Sequence, residues 1–141
     1  MFNVIFIIIF LYIILMLNNI QKRFLLFLVG CIGVRSGLVI LTKNINKDYL
    51  PILATIALIP AFGMLGVYFT NSRKTGAEVF GDKIWWNQLR IPHAFLYIMF
   101  SIYAFQKKSF CWVPLLIDVL LGLVSFLVYH GISGNFDKLL I

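Results

Sequence analysis

Tyr49-Leu-Pro-Ile-Leu-Ala-Thr-Ile-Ala-Leu-Ile-Pro-Ala-Phe-Gly-Met-Leu-Gly-Val-Tyr-Phe-Thr70 is the stretch on which the reading turns. No charge occurs between Asp48 and Arg73. At 1.5 Å per residue the run is long enough to cross a hydrocarbon layer of about 30 Å as a helix. Pro60 lies in its middle, with Gly63 and Gly66 following, so a kink near Pro60 is expected. The same pattern repeats on both sides. Residues 2–17 are apolar and have neither a basic leader nor a small-residue cleavage site, so they read as a retained first transmembrane helix. Residues 24–42, 84–106 and 111–131 supply three more apolar segments, the fourth starting at Ile84 or at Ile91. The expected architecture is all-α: a single polytopic membrane bundle, residues 1–141, of about five transmembrane helices, with a polar inner loop at 71–83.

Composition agrees. Of 141 residues, 62% are hydrophobic and 12% charged, whereas soluble domains lie nearer half apolar and a quarter charged. That balance excludes a disordered tail, a coiled coil and a disulfide scaffold. The net charge of +7 would suggest nucleic acid in a soluble protein. Here the basic residues fall in short gaps between apolar runs, so no nucleic acid partner is expected, and the lipid bilayer is. Lys22, Arg23, Arg73, Lys74, Lys83, Arg90 and Lys138 lie on one side; Lys43, Lys47, Lys107 and Lys108 lie on the other. The positive-inside rule then places the N-terminus outside and the C-terminus inside. Cys31 and Cys111 have no C-x-x-C spacing and read as buried thiols.

The polar residues inside apolar runs are the candidate site. Arg35 and Asp118 each lie seven residues from the outer end of their helices, Thr42 and Cys111, and so at matched depth, about 10 Å in. A charge at that depth costs about 2.5–3.5 kcal/mol on insertion scales. The two are expected to pair, either as a structural pin or as a gate, ion-coupling site or proton relay. Trp86, Asn87, Arg90, His93, Tyr97 and Ser101 recur at spacings of three and four and share one face of the fourth segment. Asp118, Gly122, Ser125 and Tyr129 do the same on the fifth. Together they read as a polar path. Pro92 is expected to bend the fourth helix just after Arg90. Trp85 and Trp86 read as an interfacial aromatic anchor. His93 and His130 are placed at one depth and are the weak candidates for a metal or haem between helices; with no acidic third ligand, no metal and no cofactor is expected. Arg73 and Lys74, with Arg90, form a basic cluster able to hold an anion such as a lipid head group; Glu78 and Asp82 lie in the same loop. Gly33 and Gly37 form a G-x-x-x-G that permits close helix contact.

The run Arg73-Lys-Thr-Gly-Ala-Glu, followed by Gly81-Asp-Lys-Ile-Trp-Trp-Asn-Gln-Leu-Arg-Ile-Pro-His93, Tyr97 and Leu116-Ile-Asp-Val-Leu-Leu-Gly122, resembles small uncharacterised polytopic membrane proteins encoded by large DNA viruses and some microbes. The resemblance covers the C-terminal half and implies an origin, with no assigned activity. Three functions follow from the residues. The first is a channel- or transporter-like module, expected to work as a homo-oligomer. The second is a membrane-embedded lipid- or cofactor-binding protein, or an enzyme using His93 and Arg90. The third is a structural membrane protein of a virion or organelle. No G-x-S-x-G, H-E-x-x-H or paired-carboxylate signature occurs, which leans against an enzyme.

Overall fold

The computed structural model of the chain describes residues 12, 16–76, 79 and 82–139. The expected first helix, 2–17, lies outside them apart from residues 12, 16 and 17, and so does Glu78. The described residues form helices and turns with no strand; a single isolated bridge joins Thr75 to Lys83 and closes the polar loop. Four helices carry the fold: α1, Asn19–Asn44; α2, Leu50–Thr70; α3, Arg90–Phe105; and α4, Val113–Ile132.

Local chemistry sets their ends. Asn18 and Gln21 form a reciprocal capping box at the start of α1, with Gln21 N donating to Asn18 Oδ1 at 2.8 Å and Asn18 N donating to Gln21 Oε1 at 2.9 Å. Within α1, Leu26–Gly33 winds as a π-helix before α-geometry resumes at Val34. Wider turns of this kind shift every following side chain around the axis. α2 runs unbroken through Pro60 and ends at Asn71, whose φ of 48° is a left-handed cap that asparagine tolerates. Pro92 falls in the first turn of α3, where the missing N–H has no helical partner to lose, so no bend is required there.

Packing is closest between α2 and α3. Ala54, Ala57 and Ala61 present a small face to Phe100 and Ala104, all buried. Small side chains let two backbones approach where lipid gives no hydrophobic drive for association. Ser101 lies in this seam, its hydroxyl 2.9 Å from the Tyr97 carbonyl and 3.0 Å from that of Ala54 on α2. The tail folds back on α1: Gln21 Nε2 donates to the Leu139 carbonyl at 3.0 Å, and Phe136 meets Phe24 edge-on. At the opposite end Lys107 pairs with Asp48 at 2.8 Å, linking the two connections there.

The outer surface is apolar. On α2, Ile52, Ile56, Ile59 and Phe62 are exposed; on α4, Leu120, Val124 and Leu127 are. A soluble protein rarely shows so continuous an apolar belt. Three helical segments, Asn19–Asn44, Lys47–Thr70 and Val113–Ile132, are long and apolar enough to cross a membrane. These features are consistent with an integral membrane protein. α3 has 16 residues, about 24 Å of helix. Of the two expected starts for the fourth segment, Ile91 is the one the helix matches; Ile84–Leu89 is not α-helical.

Candidate functional site

Arg35 on α1, His93 on α3 and Asp118 on α4 meet at one point. Arg35 Nη1 donates to Asp118 Oδ2 at 2.9 Å. His93 Nδ1 bonds the other carboxylate oxygen, Oδ1, and lies 3.0 Å from Arg35 Nη1. Asp118 is 1% exposed and His93 7%. One ring nitrogen cannot both donate to the carboxylate and accept from the guanidinium. With Asp118 ionised beside a permanent cation, Nδ1 carries the proton and donates it, and Arg35 is spent on Oδ2. Asp118 thus accepts from two helices at once, as a buried carboxylate must to remain charged.

A cavity of about 410 Å³ opens from this cluster toward the end of the bundle where α1 begins and α4 finishes. Among the described residues its cationic lining is Arg23, Arg35, Arg73, Lys83 and Arg90, against one carboxylate, Asp82. Arg23 binds Asp82 at 2.7 Å and also donates to the Val79 carbonyl at 2.6 Å, tying the polar loop to α1. Aromatic rings form the remaining wall. Trp85 stacks on Tyr129 with centroids 4.6 Å apart and planes 7° from parallel, and Phe27 stacks on Phe126 at 4.2 Å. His130 sits among Phe24, Trp85 and Phe126, with Asn135 Nδ2 donating to its Nδ1 at 2.9 Å.

Several sequence expectations change here. Trp85 is not simply an interfacial anchor: it packs within the protein against α4. The segment Asp82–Leu89 therefore climbs into the bundle, and α3 begins beside the middle of α4. His93 consequently shares its depth with Asp118, not with His130. His130 lies eight residues beyond Gly122, whose Cβ position would be 3.6 Å from the His93 ring, or about 12 Å along the helix. The two histidines do not converge on a metal, and no group of three or more His, Cys, Asp or Glu forms a candidate metal site among the described residues.

The polar face of α3 is likewise divided. Arg90 and His93 line the cavity with Tyr129 of α4. Tyr97 and Ser101 are sealed in the apolar core beyond the Arg35–His93–Asp118 cluster, and Ser125 is half-buried without lining the cavity. Asn87 is a tether, its Oδ1 accepting from Arg90 Nη1. Arg73 reaches the cavity; Lys74 is exposed and contributes its carbonyl to Ile84 N at 3.1 Å. The G-x-x-x-G contact is not made within the described residues: the Cβ position of Gly37 meets open space, and that of Gly33 meets only the Leu28 carbonyl of its own helix.

Arg23, Lys83 and the Phe27–Phe126 stack were not singled out from sequence. Arg23 had a readable signal, since a basic residue at a helix start and an acidic one in the polar loop fall on the same predicted side.

Gly122 closes the deep end. A Cβ there would touch Ile32 Cδ1 at 3.5 Å and the His93 ring at 3.6 Å, ordinary contact distances. Gly122→Ala is therefore expected to leave stability within about 1 kcal/mol of the parent. Gly122→Leu is expected to displace His93, with a cost of about 1–3 kcal/mol from overpacking. Thermal unfolding in detergent, measured on both variants, checks this. No known protein family, curated protein or solved structure matches the chain.

Proposed function

We propose that this protein is a multi-pass membrane protein that holds the head group of an anionic amphiphile in the cavity between α1, α3 and α4. The observation that carries the reading is the lining: among the described residues, five cationic side chains, of which Arg23 pairs with Asp82 and Arg35 with Asp118, joined to a wall of aromatic and aliphatic groups. Charge-assisted bonds from guanidinium groups suit phosphate or carboxylate oxygens, and Leu26, Phe27 and Ile32 on α1 suit a hydrocarbon chain. In the same proposal the chain crosses the membrane five times, with residues 2–17 as the first span and the cavity on the cytoplasmic side. That is where basic residues concentrate.

An oligomeric conduction path through Arg35, Asp118, Tyr97 and Ser101 has less support. Beyond the charged cluster, Val39, Phe100, Leu115 and Val119 pack together as apolar core, and Ser101 is satisfied by backbone carbonyls.

Native mass spectrometry on the full chain in lipid nanodiscs tests the reading. The expected result is one anionic lipid retained per chain after zwitterionic lipids have dissociated. Release of all lipid from a monomer would overturn it in favour of a structural role. A ligand-free closed oligomer would overturn it in favour of a pore.

A further inference from the structure

The deep end of the cavity poses a problem that most anions do not solve. His93 Nδ1 is committed to Asp118, and Arg35 is committed to the same carboxylate. The other ring nitrogen, Nε2, has no hydrogen-bond partner among the described residues, and it is not sealed off, since the ring lines the cavity. In the tautomer fixed by Asp118 it is a bare acceptor. Among the described residues, the charged and titratable groups around the ring are Arg35 from α1, Asp118 from α4, and Arg90 and Tyr97 from α3; α2 presents Met64 to the cavity. A cationic chamber thus ends in a lone pair. An anion without a proton, such as a phosphodiester, would place oxygen against that lone pair and leave a nitrogen of a 7%-exposed residue unsatisfied. Leaving a buried acceptor unmade is costly, enough to change affinity about tenfold.

A phosphate monoester solves both demands. Its second proton dissociates near pH 6, so near neutral pH part of the ligand still carries that proton. It carries at least one full negative charge for the cavity's guanidinium and ammonium groups, and it offers a P–O–H donor. Resting on the reading of the cavity as a head-group site, we propose that its ligand is a phosphate monoester, with His93 Nε2 sharing the acidic proton and Asp118 holding the ring in the accepting tautomer. The proton is either on phosphate oxygen, donated to Nε2, or on Nε2, donated back to a dianionic phosphate. No other bond changes. In the second form the Asp118 carboxylate faces the imidazolium. His93 acts in this as a specificity-determining residue.

The test uses the full chain in nanodiscs and native mass spectrometry. The probes are phosphatidic acid, a monoester, and phosphatidylglycerol, a diester, with inorganic phosphate as competitor. The parent is expected to retain phosphatidic acid about tenfold over phosphatidylglycerol. His93→Asn keeps an amide donor where Nδ1 stood, so the bond to Asp118 and the fold persist, but it has no atom at Nε2. It is expected to retain both lipids equally, at the level of the parent's diester binding. Asp118→Asn, which frees the tautomer, is expected to narrow the preference as well. Equal retention of the two lipids by the parent would overturn the proposal and leave the head-group reading standing. Retention of neither would overturn both. A preference that survives in His93→Asn would also overturn it, since the discrimination would then come from charge alone. Displacement of phosphatidic acid by millimolar inorganic phosphate would support the monoester chemistry with a soluble source, and resistance to displacement would support it with a lipid source.

Discussion

Asp118→Leu is expected to be the most damaging single substitution in the chain, destabilising it by about 3–5 kcal/mol. The variant leaves the Arg35 guanidinium without its carboxylate and the His93 Nδ1–H without its acceptor, in a helix bundle with little water to replace them. Arg35 retains 25% of its side-chain exposure, so it can swing toward the cavity, which favours the lower half of that range. The double variant Arg35→Leu/Asp118→Leu removes both charges and is expected to recover most of the loss, because an ion pair replaced by apolar side chains of similar size is often neutral or stabilising. Denaturant unfolding in mixed micelles measures both. If the single variant is as stable as the parent, the pair does not hold α1 to α4. If the double variant is as unstable as the single one, packing at these positions matters more than charge.

That pair is legible in the sequence. Two opposite charges placed seven residues from the same membrane face can be read from chain length alone, because rise per residue is fixed. The apolar segments at 49–70 and 111–131 were legible for the same reason and match α2 and α4 closely. What length could not supply was rotation and depth. The π-helical turns of Leu26–Gly33 alter which residues of α1 face inward. Apolarity left the fourth segment two starts, Ile84 or Ile91; the helix takes the later one, and the six residues from Ile84 form a non-α stretch that packs Trp85 on Tyr129. That stretch moves His93 up to Asp118 and away from His130. Nothing in the spacing of His93 announces it, since the information lies in side-chain stacking between segments distant in sequence. The alanine seam of α2 was equally silent, because Ala54, Ala57 and Ala61 read as ordinary apolar residues until a partner helix is set against them.

Arg90 yields the second large effect. It occupies the first turn of α3 and is 6% exposed. A cation there opposes the helix macrodipole, which favours negative charge at an N-terminus. Burial adds a second cost, since a guanidinium gives up strong hydration. Asn87 Oδ1 accepts from Arg90 Nη1 and holds the guanidinium against the start of α3. In the head-group reading, an anion drawn into the cavity meets this guanidinium. Arg90→Gln removes that charge while keeping a side chain that can still donate to Asn87. It is expected to weaken retention of an anionic lipid by about 10- to 100-fold, corresponding to the loss of one charge-assisted hydrogen bond of about 1.5–3 kcal/mol. Thermal unfolding in lipid-free detergent and lipid retention in nanodiscs measure stability and binding independently. A variant that loses stability while keeping the lipid would make Arg90 a structural residue and move the head group elsewhere in the cavity, toward Arg73 and Lys83.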